Sequence, residues 1–156
     1  MSEKNVGFKA FNRDFTNKFG KKFEVGNSYV SEFKDYLFHY CINLEDVFVY
    51  YRNTDEIIIC EVEGSEKNIT YDNDYYAVYD VCASEKLYVK RILSRKEIIL
   101  YGLNLRYDRL KRFISLYKMN TDEIVLFKER FVNNKEVIKY IEYYQENNTN
   151  VFNLKI

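Results

Sequence analysis

The chain of 156 residues has no proline, no tryptophan, one histidine, five glycines and three cysteines. These scarcities exclude several chemistries. One His and three scattered Cys, each among apolar neighbours, supply neither a metal-ligand spacing nor a disulfide frame. The few glycines form no phosphate-cradling loop, and GxSxG and HExxH are absent. No run of 18 apolar residues and no N-terminal apolar run of signal-peptide type is present. Together these point to a protein of a reducing cytoplasm, the host cell cytoplasm on the reading below, with no cofactor, no metal, no catalytic residue assigned and no membrane partner.

Hydrophobic residues make up 47% and aromatic residues 18% of the chain, with 16 Tyr and 12 Phe. That apolar surface is enough to bury a core and argues against disorder, although 31% of residues are charged. The wealth of Tyr, Phe, Asn, Lys and Ile beside missing Pro is the bias of an AT-rich genome, and it fills cores before it builds recognition surfaces. Tyr is nonetheless enriched at protein interfaces, where its ring supplies area and its hydroxyl a bond.

The fold expected is α+β, a mostly antiparallel sheet with short helices followed by a C-terminal three-helix segment. The division expected is an α+β domain over 1–102 and a helical segment over 103–156 packed on the same core. Residues 6–11 alternate as a first strand, 15–22 form a loop, and 23–30 form a short strand with a Gly-Asn turn. Phe38 to Cys41 reads as a strand with His39 and Cys41 on one side. Asn43 stands as N-cap of a short helix whose face carries Val47, Tyr50 and Tyr51. Ile57 to Glu63 reads as a central strand, 64–68 and 71–74 as turns, and 75–83 and 87–93 as further strands.

Ser94-Arg95-Lys96-Glu97 has the spacing of a capping box, so a helix begins at residue 95 and stops near Gly102, which takes positive φ without strain. Leu110, Phe113, Ile114 and Tyr117 mark the face of the next helix. Val125, Phe127 and Phe131 with Ile124 mark another, and Val137, Ile138, Ile141 and Tyr144 a third. Caps are available at Asn120 or Thr121 and at Asn133 or Asn134. Val151 and Phe152 allow a short closing strand.

Charge sums to zero, 24 basic against 24 acidic residues, but it is segregated. Residues 45–85 carry eleven acids against Arg52 and Lys67, and residues 86–112 reverse the balance. The acidic block, with Tyr71, Tyr75, Tyr76 and Tyr79, suits a basic protein groove, because carboxylates meet Arg and Lys while phenol rings supply desolvated anchors. Its candidate protein-binding residues are Glu61, Glu63, Asp72, Asp74, Tyr75 and Tyr76. The basic stretch offers a nucleic-acid alternative through Lys90, Arg91, Arg106 and Arg109. In the bland reading both blocks are solvated faces, or they meet and cancel. His39 and Cys41 share a strand face, yet no orienting Asn or Asp and no oxyanion donor accompany them, so their role is structural.

Gly7 to Asp14, Phe23 to Gly26, Phe38 to Cys41 with Asp46 and Tyr50-Tyr51, Cys60 to Glu63, and Leu93 to Ile99 together resemble a family of uncharacterised small phage and prophage proteins, over about residues 5–101. Leu37 stands where that family has Gly before its Phe-His pair. The resemblance implies a phage or mobile-element origin and no particular activity. The segment from Phe38 to Tyr51 also looks like the second motif of ADP-ribosyltransferases, which lines a nicotinamide pocket. That likeness would need Glu97 as its catalytic Glu, and Lys9 or Arg13 in place of the first-strand Arg or His.

The function expected is that of a phage accessory protein that binds a host protein with a basic nucleic-acid-binding groove, most concretely an inhibitor of a host defence system such as an anti-CRISPR. The alternatives are an NAD-consuming transferase built around residues 38–51 and a nucleic-acid-binding protein.

Overall fold

The structure, a computed structural model, describes residues 5–32, 37–51, 56–65, 69–70 and 81–147. The chain divides into two compact units, Met1–Leu93 and Ser94–Ile156. The helix from 95, which the sequence boundary at 102 assigned to the first part, falls in the second.

Among the described residues the first unit is built on seven strands: β1 (Asn5–Asn12), β2 (Ser28–Val30), β3 (Phe38–Cys41), β4 (Ile57–Gly64), β5 (Ile69–Thr70), β6 (Val81–Ser84) and β7 (Lys86–Ile92). They form one sheet in the order β2-β7-β4-β1-β3-β6-β5, and every pairing is antiparallel. The α+β class is therefore as the sequence suggests. Helix α1 (Leu44–Tyr50) follows β3 and packs on β1 and β3.

The period-two alternation of the strands decides what each face holds. Phe11, Phe38, Tyr40, Cys60, Val62, Cys82, Leu87 and Val89 build one core cluster together with Phe23 from the 13–27 loop. Phe23 sits at the centre of its aromatic part, with ring centroids 4.8 Å from Phe11, 4.7 Å from Tyr29 and 6.0 Å from Phe38. At 150–250 Å² of burial per ring, such a cluster is the main apolar contribution of this face. Ala10, Cys41 and Ile59 project to the other face and are buried, as are Leu44, Val47 and Phe48 of α1.

Three local expectations are corrected. The strand predicted over 23–30 is a strand only at 28–30, because the turn precedes it: Gly26 has φ 87° and its amide donates to the carbonyl of Val89. Asn43 occupies the N-cap position without capping. Its Nδ2 instead donates to Asp46 Oδ2 at 3.4 Å, turning the side chain from the helix amides to a first-turn carboxylate. Gly102 does not end its helix with a positive φ, which among the described glycines belongs to Gly20 and Gly26. It lies inside the helix, where a Cβ would come within 2.5 Å of Phe113 Cε1, so the residue answers to close packing.

The second unit contains α2 (Arg95–Leu103), α3 (Tyr107–Leu116), α4 (Thr121–Arg130) and α5 (Lys135–Ile141), the last running into a π-helical turn, Glu142–Asn147. The capping box predicted at Ser94 is present: its hydroxyl accepts from Glu97 N, and the Glu97 carboxylate accepts from Ser94 N. A second box, Asn120 with Glu123, opens α4, and Asn134 caps α5. The α3 face is as its spacing predicts, with Leu110, Phe113, Ile114 and Tyr117 all buried. In α4 the buried apolar residue is Phe127, whereas Val125 is 48% exposed. The position opposite Val125 is taken by Glu123, which Arg95 grips through two bonds of 2.7 Å. Gln145 closes the unit: its amide donates to the carbonyls of Ile114 and Tyr117 and accepts from Met119 N at 3.0 Å. The closing strand expected at 151–152 lies outside the described residues.

Candidate functional site

Between β1 and β3 the sheet is paired at one position, Phe8↔Cys41. The strands then part, whereas β1 stays paired with β4 along its whole length, from Asn5↔Gly64 to Asn12↔Ile57. The parted strands border a half-open cavity of about 790 Å³. Lys9 lines it, and its Nζ donates to the carbonyl oxygen of His39 at 2.6 Å. A lysine ammonium thus supplies a bond to β3 where strand pairing has ceased.

The rest of the wall comes from two further pieces of chain. The loop 17–21 is folded by Asn17, whose Oδ1 accepts from the amides of Phe19 (3.0 Å) and Lys21 (2.9 Å). This turn brings Lys18 and Lys21 to the cavity. The Lys21 ammonium stands 5.4 Å from the Phe38 ring centre and 5.6 Å from that of Tyr29, within cation–π range. Helix α1 contributes Val47 and Tyr50, with Tyr51 just after it. These are the three residues whose helical spacing predicted one shared face.

The electrostatics are one-sided. Lys9, Lys18, Lys21 and His39 line the cavity, and Glu32 is the one acid among the described lining residues. Burial lowers the Lys9 pKa to about 8, and repulsion from Lys18 adds to this against an opposing pull from Cys41. Burial also lowers the His39 pKa, with Lys9 and Lys18 acting in the same direction, so the imidazole is neutral at pH 7. The Cys41 thiol is pushed up to about 12, by burial first and then by Asp46. Both shifts work against a thiolate-imidazole pair at neutral pH.

The segment 38–51, around which the transferase alternative was built, supplies Phe38, Tyr40, Val47, Tyr50 and Tyr51 to this cavity, whereas the candidate protein-binding and nucleic-acid-binding residues are not among its lining residues. Glu61 and Glu63 on β4 face Lys90 and Arg91 on β7: Arg91 Nε donates to Glu61 at 2.6 Å, and Lys90 Nζ stands 3.8 Å from both carboxylates. The register shift between Glu61 and Val62, which pairs Glu61 with Arg91 and Val62 with Val89, leaves Lys90 as the bulged residue between them. Two candidate acids and two candidate bases thus meet and cancel locally. Arg106 is the N-cap residue of α3, and Arg109 bonds the hydroxyl of Tyr101, both in the second unit. Asp72, Asp74, Tyr75 and Tyr76 lie outside the described residues.

Sequence reasoning named Lys9 only as a stand-in for the first-strand residue of the transferase likeness and missed Lys18 and Lys21. A signal for Lys9 was present: it stands between Gly7 and Phe11 on the inward side of an alternating strand, where a charge is costly. Lys18 and Lys21 carry no such mark, since loop lysines are ordinary. No helix among the described residues is long and apolar enough to cross a membrane. A family model described as a domain of unknown function, DUF7666, matches residues 5–100. No curated protein and no solved structure matches the chain.

Proposed function

The chain belongs to the DUF7666 family, a domain of unknown function, and on that premise we propose that its first unit is a binding module that takes a small anionic molecule into the cleft between β1 and β3. The observation that carries this is the convergence of Lys9, Lys18 and Lys21 on one half-open cavity of about 790 Å³ walled by aromatic residues. That volume is typical of small-molecule sites, which pair an apolar wall with a few placed polar groups. A carboxylate or phosphate would meet the ammoniums, and the body of the ligand would lie against Phe38, Tyr40 and Tyr50.

The test is a thermal-shift and calorimetric screen of mononucleotides, sugar phosphates and 2-oxo acids against the full chain. A binder should lose about tenfold or more in affinity in Lys18→Ala/Lys21→Ala, since each charge-assisted bond contributes about 1.5–3 kcal/mol. A screen with no binder, or a double variant that binds as the parent does, removes the proposal.

The reading of the chain as a phage accessory protein that inhibits a host defence system, an anti-CRISPR for instance, draws on the acidic, Tyr-rich block. With Glu61 and Glu63 paired to Lys90 and Arg91, that reading leans on Asp72, Asp74, Tyr75 and Tyr76. Charge reversal at Asp72 and Asp74 that leaves a host partner bound in a pull-down would remove it. The transferase reading requires Glu97, whose carboxylate is engaged by the amide of Ser94 at 3.2 Å as a helix cap. The nucleic-acid reading divides its residues between the two units and loses Lys90 and Arg91 to the β4 carboxylates.

A further inference from the structure

Lys9 is an unusual wall residue for an anion site. Its ammonium takes one hydrogen bond, from Nζ to the His39 carbonyl, and no carboxylate pairs with it among the described residues. Its chain lies along the inward side of β1, 5.8 Å from the centre of the Phe11 ring. Lys18 and Lys21, by contrast, come from a turn at the cavity wall. The cavity thus holds one half-buried amine and two further ammoniums on its wall that can carry an anion. A desolvated lysine beside other cations is how proteins keep an amine nucleophilic at neutral pH.

We propose that Lys9 is a carbonyl-reactive amine and that the cleft holds an aldehyde or 2-oxo acid as an imine on Lys9 Nζ, an inference that rests on the cleft being a binding site for a small anion. The neutral amine adds its lone pair to the carbonyl carbon, and the carbonyl π electrons move to oxygen. Proton transfer from nitrogen to oxygen gives the carbinolamine. Loss of hydroxide with one proton, as water, leaves the C=N bond. No oxidant or reductant is consumed. The carboxylate of a 2-oxo acid lies beside its carbonyl carbon, so Lys18 or Lys21 can hold the charge while Lys9 reaches the carbon. The groups facing Lys9 favour the neutral amine: burial and Lys18 lower its pKa to about 8, Cys41 opposes them, and His39 is itself kept neutral.

The experiment uses the full chain with pyruvate as probe and cyanoborohydride to trap the imine, followed by peptide mass spectrometry. The expected product is a Lys9 peptide heavier by pyruvic acid less one oxygen atom. It should form at least about tenfold faster than at other lysines, because at pH 8 an amine of ordinary pKa is almost wholly protonated. Labelling should saturate with pyruvate, slow when lactate competes for the cleft, and disappear from this site in Lys9→Arg. Labelling spread evenly over the lysines overturns the proposal, as does Lys9 labelling that rises linearly with pyruvate. If pyruvate and lactate both raise the melting temperature and no Lys9 adduct forms, the imine is overturned while the binding site stands. No shift and no adduct would overturn both for this ligand class.

Discussion

Gly7 packs so closely on Tyr40 that a methyl group at position 7 would run into the edge of the ring and stand 2.6 Å from the carbonyl oxygen of Cys41. The contact lies beside Phe8↔Cys41, the position at which β1 and β3 are paired. A backbone oxygen held in the sheet cannot turn away as a flexible side chain would. Gly7→Ala should therefore destabilise the protein by about 1–3 kcal/mol, the usual cost of forcing a group into a packed interior. Urea unfolding measures it, and an unchanged midpoint would mean that the strands separate freely.

Lys9 ties stability to pH. Its folded pKa of about 8 lies below its ordinary 10.5, so between these values the folded state binds fewer protons than the unfolded state. Stability from this group rises as pH rises from about 8 to about 10.5, and below 8 the whole penalty, up to about 3 kcal/mol, is present. Lys9→Met removes the penalty. The variant's advantage over the parent should be largest near pH 7 and narrow toward about pH 10 in paired denaturation curves; a constant difference would contradict a depressed Lys9.

Cys41 and Cys60 should be inert in the folded protein. Burial pushes both thiols up to about 12, so at about pH 8 roughly one in ten thousand is thiolate. Iodoacetamide followed by mass spectrometry should leave both unmodified until denaturant is added. Rapid native alkylation of either would show that the sheet opens locally.

Gln145 supplies one amide to three backbone groups, Ile114 in the last turn of α3 and Tyr117 and Met119 in the α3–α4 connection. Gln145→Glu keeps the size and replaces the donor with an anion aimed at the carbonyls of Ile114 and Tyr117. A loss of about 2–4 kcal/mol is expected, since a buried charge would face lone pairs. The loss should shrink in acid, where a protonated carboxyl can donate to one of them. A variant as stable as the parent at pH 7 would show that water replaces the amide.

The features legible in the sequence were those governed by local spacing. Ser94 to Glu97 and the stripe Leu110, Phe113, Ile114, Tyr117 involve residues within two helical turns, and both are present as read. The features that escaped depend on distant chain. The helix does stop near Gly102, at Leu103, but Gly102 answers to Phe113 and not to a positive φ, and Asn43 resembles a cap until Asp46 captures its amide. The resemblance to a nicotinamide-pocket motif touched the cleft through residues 38–51 and Lys9, but its full wall was hidden for the same reason: its lysines come from a strand and a loop, its tyrosines from β3, α1 and the residue after α1, and nothing in their spacing says that β1 and β3 separate after one pair. Charge segregation was visible, but its partial cancellation depended on the bulge that sets Lys90 and Arg91 against Glu61 and Glu63.

The position of β1 has a consequence in time. It is the middle strand of seven and the first to leave the ribosome, yet its long partner, from Asn12↔Ile57 to Asn5↔Gly64, arrives roughly fifty residues later. At ordinary translation rates β1 waits about 3–10 s for that partner, while β3, its other neighbour, emerges sooner. A chaperone that shields extended apolar chain thus has its longest opportunity at the strand that carries Lys9.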